Sequence, residues 1–154
     1  MAEVSQKKRI WGWMFFDWAS QPYNTLVLTF VFGPYFAQIV SNHLIAGGMA
    51  EGAAKAQAQE YWGWGLTIIG IFIAVLAPVL GAFADNSGRR MPWIWLFSIM
   101  YVVGAFGLWQ AAPPSFSIFW VLVFFGIGMV GMEFATIFTN AMLPDLGTKE
   151  QIGR

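Results

Sequence analysis

Cysteine is absent from all 154 residues. That excludes disulfides, thiol nucleophiles and zinc–thiolate sites, and leaves the redox compartment open. Histidine occurs once, at His43, so this chain alone builds no multi-histidine metal centre. Charge is scarce as well: 10% of residues are charged, against about 25% in an ordinary soluble domain. Eight cations balance eight anions, so no basic surface tracks nucleic-acid phosphates, and nucleic acid is not expected as a partner. Neither a metal cluster nor a nucleophile–base pair is visible, so no cofactor is expected and a membrane enzyme is the least favoured reading.

What is abundant is apolar surface, at 58% of residues. A chain this short still exposes much of its surface, so with so few charges the solvent for most of it must be lipid. A spanning helix needs roughly 20 mainly apolar residues, and four windows qualify: 11–40, 61–84, 93–112 and 116–143. Residues 1–10 form a tail and 144–154 a trailing hydrophilic segment. The cations Lys7, Lys8 and Arg9 resemble a signal-peptide start, but the apolar run after them is far longer than an h-region and no small-residue cleavage site follows. The first window therefore reads as a retained helix. Between windows, 41–60 is a polar, Ala/Gly-rich linker whose 53–60 stretch can continue as helix. Segment 85–90 is a tight charged turn, and Pro113 and Pro114 end the third helix at an uncharged hairpin.

Orientation follows from the cations. Lys7, Lys8, Arg9, Arg89, Arg90, Lys149 and Arg154 fall on one side of the bilayer and Lys55 alone on the other. Both termini are expected in the cytoplasm. Trp11, Trp13, Trp62, Trp64, Trp93, Trp95, Trp109 and Trp120 lie near predicted helix ends, where indole favours the headgroup layer.

Helical periodicity of 100° per residue sorts the faces. In the second span Gly63, Gly70, Ala74, Ala77 and Gly81 share a face, which predicts a close-packing seam; Pro78 in the same span predicts a kink. The first span carries Asp17, Ser20, Gln21 and Asn24 on one face, and the fourth carries Glu133, Thr136 and Asn140. Intramembrane acids usually face a bundle interior or a watery cavity, so these two helices are expected to line one polar passage. Asp17 lies about 10 Å inside the expected cytoplasmic end, where reaching the interface is an alternative to contacting a solute. For Glu133 the alternatives are a structural hydrogen bond, a substrate contact or a proton-titrating role. The third span has only scattered polar residues, Ser98, Tyr101 and Gln110, and is expected at the lipid-facing edge.

The loop Gly81-Ala82-Phe83-Ala84-Asp85-Asn86-Ser87-Gly88-Arg89-Arg90 resembles the signature loop of the major facilitator superfamily, G-x-x-x-D-[RK]-x-G-[RK]-[RK]. Gly81, Asp85, Gly88, Arg89 and Arg90 match, and Asn86 departs from the usual cation. Gly88 suits a tight reversal, and Asp85 suits pairing with an arginine or a helix N-terminus. Such a contact is a latch that holds one conformation and releases it in another. Asp17-Trp18-Ala19, Pro34-Tyr35-Phe36 and Asn140-Ala141-Met142-Leu143-Pro144-Asp145-Leu146 resemble the first and fourth helices of that superfamily's vacuole-effluxer-like branch, related to autophagy-linked amino-acid effluxers.

The resemblance implies an all-α membrane protein whose four transmembrane helices are the front part of a six-helix half of a twelve-helix transporter. It implies that the first and fourth helices line the cavity, the two helices that carry the polar stripes. The arginine that some branches carry on the fourth helix for proton antiport has no counterpart here. The expected function is secondary transport of a small solute across a bacterial inner membrane. The solute pathway would run along Asp17, Gln21, Asn24, Glu133, Thr136 and Asn140. The latch would be Gly81, Asp85, Gly88, Arg89 and Arg90. Expected partners are the lipid bilayer, a solute with a possible coupled proton, and the remaining helices of the same transporter. Two rival readings are a self-contained four-helix homodimeric transporter with buried carboxylates and a non-transporting scaffold or assembly protein.

Overall fold

The computed structural model describes residues 5–87 and 90–146. Helix α1 (Gln6–Pro22) passes into a π-helical stretch (Tyr23–Phe30) and then into α2 (Phe32–Ala46). Helix α3 (Glu51–Ser87) follows, then α4 (Met91–Gly107) with a 3-10 turn at Leu108–Gln110. Helix α5 (Ile118–Asn140) leads to a last 3-10 turn at Leu143–Asp145. Among the described residues there is no strand. Three helices are long and apolar enough to cross a membrane, or up to four when the bent pair Gln6–Phe30 and Phe32–Ala46 is one span.

The first window is not the single helix its apolar run predicts: it bends by 41° around Val31. Pro34 explains the place. It has no N–H to give the Phe30 carbonyl, so the α-helical ladder fails there. Upstream, the winding is loosened instead, and the Val31 N–H reaches back five residues to Leu26 O at 2.9 Å. The hydroxyl of Thr29 donates to Asn24 O at 2.8 Å. Regular winding resumes with Tyr35 N–H to Val31 O at 3.1 Å.

The segment 41–60 corrects its reading as a linker. It is helical except at 47–50, where Gly48 adopts φ 94°, a left-handed conformation that costs glycine little. Ser41 and Ala58 are buried, and Ala58 joins Phe36, Ile39 and Val40 in one apolar cluster. Alanines at 54 and 58 let α3 lie close to α2, so the polar-looking stretch folds as a helical hairpin. Helix α3 contains 37 residues, roughly 55 Å of rise. A bilayer core is about 30 Å thick, so α3 is long enough to project well beyond it. It passes through Pro78 without a break.

Helix α5 is the central element, and α4 lies along it. Among the described residues nothing packs on the small-residue face of the second span: a Cβ added at Gly63, Gly70 or Gly81 meets nothing within 4 Å. The close approach is between α4 and α5. A Cβ on Gly104 would sit 2.2 Å from Gly128 N, and one on Gly131 would sit 2.4 Å from Tyr101 N. No side chain fits between those backbones. Helix α4 buries Ile94, Phe97 and Gly104 on that face and leaves Trp95, Ile99, Val102 and Phe106 exposed on the other, as an edge helix does.

Two hydrogen bonds tie one end of the bundle. Gln6 Nε2 donates to Leu146 O at 2.9 Å, and Arg90 Nη1 donates to Ala141 O at 2.7 Å. At the other end Tyr35 Oη donates to Ala111 O at 2.6 Å. This last bond joins α2 to the loop that contains the cis Pro113–Pro114 peptide.

Candidate functional site

Helix α1 and helix α5 run antiparallel and meet in register. Tyr23 and Asn24 lie beside Phe125, Gly128 and Met132. Ser20 shares a small cavity with Met132 and Ala135, and Trp13 shares another with Thr139. The stretch from Asp17 to Ser20 therefore lies near the depth of Met132 to Thr136, with Asn24 beside Met132 and Thr139 nearer Trp13.

The two predicted polar stripes converge on a sulfur. Asn24 Nδ2 donates to Met132 Sδ at 3.4 Å, and Thr136 Oγ1 lies 3.9 Å from the same atom. Met132 is 2% exposed. A thioether is a weak, polarisable acceptor, so it holds the amide and the hydroxyl without saturating either. Glu133 is the next residue along α5 and is half-buried. Among the described residues neither the Glu133 nor the Asp17 carboxylate has a hydrogen-bond or ion-pair partner.

The remaining stripe residues are not drawn into that contact. Ser20 is buried but turns its hydroxyl to Asp17 O at 2.8 Å, a bond within its own helix. Asp17 is half-buried, whereas Gln21 and Asn140 are exposed. Apart from buried Ser20, the two stripes form an exposed and half-exposed edge anchored on Met132 by Asn24 and Thr136.

Sequence reasoning missed the residue that fixes this height. Tyr23 is 1% exposed, and its hydroxyl donates to Phe125 O at 2.7 Å. It fits because α5 has glycine at 128, where a Cβ would lie 2.3 Å from the Tyr23 oxygen. Tyr101, read as scattered, meets it edge-on at 5.3 Å. The available signal was a tyrosine in mid-span, since a buried hydroxyl requires a partner. Trp62 is likewise no headgroup anchor. Its ring lies 4.6 Å from Phe125 and 5.2 Å from Phe36, and Phe32 stacks on Phe125 at 6.4 Å. These rings wall off the polar edge on the side of the α2–α3 hairpin.

Of the predicted latch, Gly81 and Asp85 fall within α3, which continues to Ser87, so the expected turn starts later than predicted. Gly88, Arg89 and the side chain of Asp85 lie outside the described residues. Arg90 stands just before α4 and grips the carbonyl at the C-terminal end of α5, a favourable place for a cation.

A bundle of long apolar helices, with a half-buried carboxylate beside a part-buried amide–thioether contact, is that of a helical membrane protein. The chain is similar to YxiO of Bacillus subtilis (strain 168), described as an uncharacterized MFS-type transporter. The two are 26% identical over 141 residues, which is 92% of this chain and 31% of the relative. The chain thus spans about a third of the relative's length. No family model matches the chain, and no solved structure matches it.

Proposed function

We propose that this chain forms the front part of a major-facilitator-type secondary transporter that moves a small solute by alternating access. Similarity to an MFS-type transporter along nearly the whole chain supports the class. The observation that carries the site is the shared grip of Asn24 and Thr136 on Met132, with Glu133 beside it. In this reading Glu133 and Asp17 contact the solute or a coupled proton, and Gln21, Asn24, Thr136 and Asn140 supply hydrogen bonds along the path. Tyr23, Phe32, Trp62 and Phe125 close the path on the hairpin side. Asp85, Arg89 and Arg90, with Gly81 and Gly88, form the latch at the opposite end, which faces the cytoplasm of a bacterial inner membrane by the distribution of cations. The vacuole-effluxer-like branch rests on its matching residues alone. Among the described residues nothing favours a four-helix homodimer or a scaffold.

The test is transport by the full-length protein in proteoliposomes, screened across amino acids and other small metabolites. Glu133→Gln should abolish or strongly slow flux of the accepted solute, while Asn42→Ala, on the hairpin side, should not. Unchanged flux in both Glu133→Gln and Asp85→Asn would refute the assignment.

A further inference from the structure

A cavity of about 260 Å³ lies at the cationic end of the bundle, between the start of α1, the start of α4 and the end of α5. Its wall is almost wholly apolar, built from Phe16, Ile94 and Met142 among others. Lys8 and Arg9, both exposed, stand in its lining. Two further residues of that lining hold buried polar atoms with no hydrogen-bond partner among the described residues: Trp13 Nε1 and Thr139 Oγ1. Thr139 is 6% exposed. Buried polar groups are normally paired, and each exception asks for an explanation.

These features ask for one kind of partner. An indole N–H only donates, and so does a lysine ammonium, so the Trp13 indole and Lys8 call for an acceptor that tolerates positive charge, and Arg9 adds to the positive field there. The apolar wall requires hydrocarbon. A free inorganic phosphate answers the first demand and not the second. Basic pockets between transmembrane helices are fitted to anionic lipid headgroups. We infer that this cavity binds an anionic phospholipid. Its phosphate and ester oxygens lie toward Lys8, Arg9, the Trp13 indole and the Thr139 hydroxyl, and the upper part of an acyl chain enters the apolar wall. The inference rests on placing the bundle in a bilayer and not on transport, so lipid binding and flux succeed or fail separately.

The test uses the full-length protein in nanodiscs of phosphatidylcholine and phosphatidylglycerol, with bound lipid read by native mass spectrometry. Phosphatidylglycerol should stay bound in preference to phosphatidylcholine. The Lys8→Gln/Arg9→Gln pair should lower its retention about tenfold, since each cation near an anionic lipid contributes substantially. Gly12→Leu should do the same by filling the cavity, because a Cβ at Gly12 meets nothing within 4 Å and the fold has room for it. Equal retention in all three proteins would overturn the proposal. Displacement by glycerol phosphate would also overturn it, since a soluble anion would then suffice. In the wild-type protein, a photoreactive phosphatidylglycerol should label the peptides that contain Met91 and Met142. Labelling that avoids both means another part of the protein fills the cavity, and the lipid reading falls.

Discussion

Substituting Gly104 by alanine is the sharpest perturbation the bundle offers. The added methyl would lie 2.2 Å from Gly128 N and 2.7 Å from Phe124 O, both backbone atoms that cannot swing aside. To restore an ordinary 3.4 Å contact, α4 and α5 must part by about 1.2 Å there. The displacement spreads along the seam, because Gly131 meets the backbone at Tyr101 and Phe97 just as closely. Overpacking of this kind costs about 1–3 kcal/mol, and the upper half of that range applies where backbone meets backbone. Gly12→Ala is the matched control: its Cβ meets nothing within 4 Å, and alanine is favoured over glycine in a helix by about 0.5–1 kcal/mol. The two variants change the same atoms in opposite environments, so their stabilities should differ by about 3 kcal/mol. Reversible unfolding in mixed micelles, followed by circular dichroism, measures the difference. Equal stability of the two variants would refute the α4–α5 seam.

Three further expectations rest on single contacts. Tyr23→Phe keeps the ring but strips the donor from Phe125 O, and should cost about 0.5–1.5 kcal/mol in the same unfolding assay. Arg90→Gln removes a charged donor from the end of α5 and should cost about 1 kcal/mol; hydrogen exchange should quicken at residues 141–146 and remain unchanged at the hairpin 41–60. Met132→Leu is a volume-conserving change worth under about 1.5 kcal/mol in stability, yet it deprives Asn24 and Thr136 of their common acceptor. It should therefore alter solute affinity or selectivity in proteoliposomes far more than it alters unfolding, and Met132→Leu transport identical to wild type would remove the sulfur from the site.

The helical elements were legible because apolar length alone marks them, and the polar stripes were legible because an acid in such a run is conspicuous. Their convergence on Met132 was not legible. Methionine reads as one more apolar residue until its sulfur is seen beside an amide. The bend at Val31 left a trace in Pro34, but apolar runs on both sides of it masked the break. The α4–α5 seam was legible in part. Glycines occur in every span, and the stripe on α3 stands out because its small residues share one helix face. The pairs Gly104 and Gly107 on α4 and Gly128 and Gly131 on α5 repeat at a spacing of three, so each pair shares a helix face. Matching short glycine pairs on two consecutive helices was a better indication of backbone contact than one long stripe without a counterpart.

The exposed stripe on α3 then acquires a different meaning. Gly63, Gly70 and Gly81 face nothing within 4 Å, and Ile68, Ile71, Phe72, Val75 and Val79 are exposed around them. Lipid would cover such a surface at little cost, but lipid gives no reason for glycine, which weakens a helix interior. In membranes small residues are enriched where one helix backbone meets another. The polar edge of α1 and α5 is open in the same way, with Gln21 and Asn140 exposed and Glu133 unpaired among the described residues. A carboxylate left facing hydrocarbon is costly, so that edge calls for water or for further protein. Both surfaces are accounted for if additional helices pack on α3 and leave a wet passage beside α1 and α5, the arrangement that the proposed transport function requires.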